Sequence, residues 1–257
     1  NNTRLAWGSL PQCQTAFEAA DSGGKIPAMK EDVVVVLHGL VRSRNSMAGV
    51  AKKVAVANRN WSVVTISYAS SRQTVADHSK ALRNIIGQME GVKRVHFVAH
   101  SLGNLVVRRY LYDLQLLKLR DWPETGRFVM LAPPNQGSRV AEVFQNDPIF
   151  RAVWGVSGGQ IAEWDSLAKT LAIPRNEFAI IAGGKSAAKR NPLLPGEDDW
   201  VVSVQETRLP GARDFIVLPV LHSTMMDERH VQDATVRFLK TGALRENGKR
   251  QPIRARP

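Results

Sequence analysis

The chain holds a single cysteine, Cys13, among 257 residues. No intramolecular disulfide is therefore possible, and the thiol reads as a small apolar side chain. No cluster of Cys and His has zinc-ligand spacing. No apolar run approaches the ~18 residues of a transmembrane helix. No signal peptide is visible. The chain starts Asn1-Asn2 rather than Met, as it would if an upstream segment had been removed. A secreted or periplasmic location is the expectation from that, although the sequence does not fix the compartment. No internal repeat and no aromatic-interleaved basic motif is present, which argues against a specific nucleic-acid partner.

What is present is ordinary for one α/β domain: 44% hydrophobic and 23% charged residues, in a length that supports one sizeable core. The exception is charge, with 35 basic against 23 acidic residues, a net +12. Much of the excess is local. From Lys240 to Pro257 six basic residues face one acid, Glu246. Residues 243–257 read as a loose basic tail, polar and without periodicity, with weak contact to an anionic membrane as its one implied partnership. Arg108, Arg109, Lys118 and Arg120 read as further charge on outer helices.

Residues 1–30 show weak periodicity and a Ser22-Gly23-Gly24 break, and read as an arm. Val33 to Leu37 is a continuous β-branched run, as expected of a strand covered on both faces. Met47, Val50, Ala51 and Val54 have helical spacing. Trp61–Tyr68 and 94–99 read as strands. A helix starts near Thr74, where Thr74 and Asp77 form a capping box, and another carries Leu102, Leu105, Val106, Tyr110 and Leu114. Residues 127–132, 177–183 and 214–221 are three more strands. A last helix covers 229–241, with Gly242 as its cap. Strands alternating with helices predict an α/β fold over 31–242, with a mostly parallel sheet and helices on both faces. Residues 139–175 exceed one crossover helix and read either as a cap over a site or as an irregular helical excursion. Residues 183–200 form a long loop ending in Glu197, Asp198 and Asp199.

In such sheets ligands bind beyond the carboxyl ends of the strands. The polar residues fall there: His38-Gly39 after the first strand, His100-Ser101 after the third, Asn135 after the fourth, Asp199 after the fifth and His222 after the last. Ser101 in "AHSLG" sits on a strand-to-helix turn flanked by the small Ala99 and Gly103, which would expose its hydroxyl at a helix N-terminus. Among the histidines, His78 and His230 fall on helices, and His96 alternates with Val95 and Phe97 along a strand. His222 ends the last strand, where a base that activates a serine is wanted. Asn135 and Ser138 read as turn-formers.

On "VVVVLHGL", "HFVAHSLGN", "LAPPNQGS", "DDWVV" and "LHSTMM", in that order over roughly 32–241, the chain resembles the α/β-hydrolase superfamily, in particular small bacterial lipases and esterases. The resemblance implies a central parallel sheet and the order Ser101, Asp199, His222 as nucleophile, orienting acid and base, with Asp198 as the alternative acid. It also implies an oxyanion hole from the backbone amides of Leu40 and Leu102, with His38, Gly39, His100 and Gly103 supporting them. The implied reaction is acyl transfer from a small-molecule or lipid ester of short to medium acyl chain to water, without metal or organic cofactor. An acyltransferase, thioesterase or amidase on the same triad, or a non-catalytic binding protein of the same fold, are the other readings. The sequence does not fix the oligomeric state.

Overall fold

A computed structural model describes residues 6–23, 27–119, 122–184 and 191–254. Gly24, Arg120 and residues 255–257 of the basic tail lie outside the described residues. Six strands, β1 (Asp32–Leu37), β2 (Trp61–Ile66), β3 (Arg94–His100), β4 (Glu124–Leu131), β5 (Phe178–Gly183) and β6 (Asp214–Leu218), form one sheet in the order β2-β1-β3-β4-β5-β6. Every pairing is parallel.

The unbroken β-branched run of β1 is explained by its position. Val33, Val35 and Leu37 enter one core together with Leu105, Phe97 and Tyr110, while Val34 and Val36 enter the other with Val50, Val54 and Phe238. Helices α3 (Val75–Gly87) and α4 (Leu102–Leu117) cover the first face, and α2 (Ala48–Ala57) and α9 (Arg229–Thr241) the second. The predicted Thr74–Asp77 capping box forms, and Gly242 closes α9 in the left-handed conformation at φ 73°. β4 begins earlier than its apolar residues suggest. Its register against β3 shifts between Val95 and Phe97, where the buried His96 ring accepts the Arg127 N–H at 2.8 Å. That makes His96 a structural histidine of the sheet.

The N-terminal arm contains a helix, α1 (Leu10–Ser22), opened by Ser9, whose N–H donates to the Gln12 side chain at 2.8 Å. Between β4 and β5 the chain forms three helices, α5 (Arg139–Phe144), α6 (Pro148–Ala162) and α7 (Trp164–Ala168). Gly155 bends α6 at φ 60°, and a Cβ there would lie 1.9 Å from the Ser71 carbonyl oxygen. Short α8 (Val204–Thr207) follows the acidic loop.

Two expectations fail here. The described part of the tail is not loose. Asp214, fully buried at the start of β6, accepts from the Leu244 amide at 2.7 Å, the Gln251 amide at 2.9 Å and the Arg245 guanidinium at 2.9 Å. Ile253 then exchanges backbone hydrogen bonds with Ala212 and Gly211. No local pattern records this anchor, because it lies thirty residues upstream. Arg108 is not surface charge either. It is buried, donating to the Ala172 carbonyl at 2.9 Å and to Asn135 Oδ1 at 3.0 Å, and burial lowers its pKa to about 10.

Asp214→Ala is expected to destabilise the fold by about 3 kcal/mol, because it strands the Leu244, Gln251 and Phe215 amides and a half-buried guanidinium. Urea unfolding would measure the loss, and limited proteolysis would show cleavage within 243–254 before the rest of the chain. Unchanged stability would contradict the anchor.

Candidate active site

The carboxyl ends of β1, β3 and β4 and the segment after β6 converge on one cavity of about 770 Å³ whose lining includes Ser101, His222, Leu40 and Ser138. Ser101 joins β3 to α4 with φ 52° and ψ −124°, a strained conformation for a residue with a Cβ. The turn is held from three sides. The Ser101 N–H donates to the Leu131 carbonyl at 2.9 Å, and Asn104 Nδ2 donates to both the Ser101 and Leu131 carbonyls, at 3.0 and 3.1 Å. Gly103 is required by a close approach, since a Cβ there would lie 2.8 Å from the His38 carbonyl oxygen. A Cβ on Gly39 would meet the Cβ of Ser101 at 2.9 Å. The strain is thus over-determined by the packing and hydrogen bonds around the turn, which fix where the Ser101 side chain leaves the backbone.

His222 follows β6 and is buried, with its Nδ1 2.8 Å from Asp199 Oδ2 and its backbone N–H donating to the Asp199 carbonyl at 2.9 Å. Asp199 is fully buried. Its other oxygen accepts the Val201 and Val202 amides at 3.1 and 2.8 Å. The carboxylate is thus held on both oxygens, one by the imidazole and the other by two backbone amides. Asp198 faces elsewhere, accepting the amides of Asn191 at 3.2 Å and Trp200 at 2.8 Å. Of the three adjacent acids, the structure pairs Asp199 with the imidazole.

The loop after β1 is braced by residues that sequence reasoning did not single out. Val41 stands at φ 55° and its N–H donates to Ser70 Oγ at 3.0 Å. Tyr68 stacks on His38, with ring centroids 4.3 Å apart, and its hydroxyl donates to the His38 carbonyl at 2.6 Å. His38 Nε2 accepts the Tyr68 N–H at 3.3 Å, so Nδ1 carries the proton and donates to the Gly39 carbonyl at 2.8 Å. Asn104 had a signal in the sequence, an amide one turn beyond the serine on an apolar helix. Ser70 and Tyr68 had none, because their partners lie about thirty residues away.

His100 is buried beside His222, with ring centroids 4.6 Å apart. Burial pushes its pKa well below 6.5, and an imidazolium at His222 and the Arg42 guanidinium would each push it further. His38, His78 and His96 are also lowered from 6.5, each chiefly by burial. The sign follows directly. Below pH 6.5 the unfolded chain binds protons on these rings that the folded chain refuses, so stability falls as pH drops towards the folded values. Thermal melts from about pH 7 to about pH 5 should show a steady fall in Tm, before ordinary carboxylates titrate. A flat profile would contradict the burial of these four rings.

Among the described residues no three His, Cys, Asp or Glu side chains group as metal ligands, and no helix is long and apolar enough to cross a membrane.

Together, the all-parallel sheet and the serine on a strained turn between β3 and α4 have the architecture of the α/β-hydrolase fold. Residues 28–146 match the family model described as "Putative serine esterase (DUF676)". Among solved structures, the mature form of the Bacillus licheniformis lipase BlEst2 is similar at 18% identity, over 78% of this chain and 88% of that one, with a TM-score of 0.53. The metagenomic carboxyl esterase MGS0156 is similar at 16% identity, over 78% and 67%, with a TM-score of 0.57. RedJ, a thioesterase from the prodiginine biosynthetic pathway in Streptomyces coelicolor, is similar at 12% identity, over 84% and 94%, with a TM-score of 0.50. Comparison of the sequence with curated proteins gives no match.

Proposed function

We propose that the chain is a serine carboxylic-ester hydrolase that works through an acyl-enzyme on Ser101. The observation that carries this reading is the buried Asp199–His222 pair opening onto the same cavity as the strained Ser101 turn. Asp199 holds His222 in one tautomer, with Nδ1–H donated to the carboxylate and Nε2 left as the base. His222 takes the Ser101 proton as Oγ attacks the ester carbonyl. The oxyanion that forms is bound by the backbone amides of Leu102, at the start of α4, and Leu40, in the braced loop after β1. His222 then protonates the leaving alcohol, and water attacks the acyl-enzyme by the same route in reverse. His100 stays uncharged beside His222, so a second positive charge does not compete with the imidazolium that forms in the transition state.

Residues 139–175 act as the cap in this reading. Val153, Trp154 and Ile161 of α6 line the cavity and supply the acyl wall, which this reading assigns to short to medium acyl chains. Hydrolysis of p-nitrophenyl esters from acetate to palmitate tests this, with the highest kcat/KM expected between butyrate and octanoate. An optimum at palmitate would overturn the chain-length reading. Cleavage of a thioester but of no oxygen ester would replace the hydrolase reading with a thioesterase on the same triad.

A further inference from the structure

The cavity above Ser101 is chemically lopsided. Val153, Trp154 and Ile161 of α6 give it apolar lining, and Arg42, Ser43 and Ser223 give it polar lining. Arg42 is the only lysine or arginine among the described residues lining the cavity, and no Asp or Glu lines it with Arg42. No ion pair among the described residues uses Arg42. A half-buried guanidinium without a counter-charge forgoes the interaction its planar fork is built to make. Nearby Ser46 is already committed, its hydroxyl donating to the Ser43 carbonyl at 2.8 Å. Ser43 opens the short turn 44–47 without spending its own hydroxyl on a cap.

The position of Arg42 assigns it to one half of a substrate. His222 must stand beside the leaving oxygen in order to protonate it. Ser223 is the next residue, and it lines the same cavity as His222 and Arg42. With the apolar α6 residues assigned to the acyl chain, the polar lining residues Arg42, Ser43 and Ser223 are left to the departing alcohol.

We propose that Arg42, with the hydroxyls of Ser43 and Ser223, forms an anion subsite that selects esters whose alcohol part carries a phosphate or carboxylate group. This deepens the esterase reading and rests on it. The net charge of +12 favours encounter with such substrates without specifying them.

The test compares three butyryl esters: monobutyrin, which is neutral, butyryl-glycerol phosphate, and the butyryl ester of glycolate. Wild type is expected to prefer each anionic ester over monobutyrin by about tenfold or more in kcat/KM, the size of a charge-assisted hydrogen-bonded contact. Arg42→Gln should bring that ratio close to one, mainly through KM, and Arg42→Lys should restore part of it. A preference for the phosphate ester alone would restrict the subsite to phosphate. An unchanged ratio in Arg42→Gln, or no preference in wild type, would overturn the subsite while leaving ester hydrolysis standing. A second arm needs no turnover. Glycerol phosphate should bind the Ser101→Ala protein saturably by calorimetry, and binding should be lost when Arg42→Gln is added. Equal binding by both proteins, or binding by neither, overturns the subsite even if no ester is cleaved.

Discussion

Ser101→Ala is expected to lower kcat for p-nitrophenyl butyrate by about a thousandfold or more, the typical cost of removing a triad nucleophile. The fold should be indifferent to it. The turn is held by the Ser101 N–H to Leu131, by the Asn104 amide and by the close approach of Gly103 to the His38 carbonyl. None of these contacts uses the hydroxyl, and Ala at φ 52° carries the same Cβ strain as Ser. Thermal melting should therefore stay within about a degree or two, as for a substitution that removes no buried contact. A large fall in rate at constant Tm isolates chemistry from folding. Equal rates for both proteins would mean the strained turn serves some other purpose.

The second large effect is at Asp199. Asp199→Asn preserves size but not the pattern of donors and acceptors. A carboxylate can accept from His222 Nδ1 on one oxygen and from the Val201 and Val202 amides on the other. An amide turned to satisfy Val201 and Val202 presents NH₂ to His222, which drives the ring proton to Nε2 and leaves no base facing Ser101. The expected loss in kcat is about a thousandfold to ten-thousandfold, as such a tautomer reversal costs in a serine triad. Asp198→Asn is the discriminating control. Asp198 holds the Asn191 and Trp200 amides, so its loss should lower loop stability and change kcat by less than about tenfold. If the two variants exchange these phenotypes, the assignment of the acid is wrong.

The fold was legible because its signals are local. The buried run of β1, the Thr74–Asp77 box and the Gly242 cap each need only a short window, and all three form. The positions that converge on the cavity were legible because strand ends in a parallel sheet share one edge. What could not be read depends on long-range partners. Asp198 and Asp199 are neighbours in one loop, and only the backbone turn that directs one to His222 and the other to Asn191 tells them apart. Arg108 has the sequence context of any helical cation, and only its contacts with Ala172 and Asn135, distant in sequence, set it apart. The tail looked loose because Asp214, which anchors it, lies on a strand far upstream.

The central claim is a covalent acyl group on Ser101. Acid quenching of the protein during turnover of p-nitrophenyl butyrate, followed by peptide mass spectrometry, measures it directly. The predicted result is a butyryl group on the peptide containing Ser101, absent from Ser101→Ala and accumulating in a variant whose deacylation is slowed. A butyryl group on another residue, or rapid ester turnover with no acylated peptide at any quench time in either protein, would contradict it.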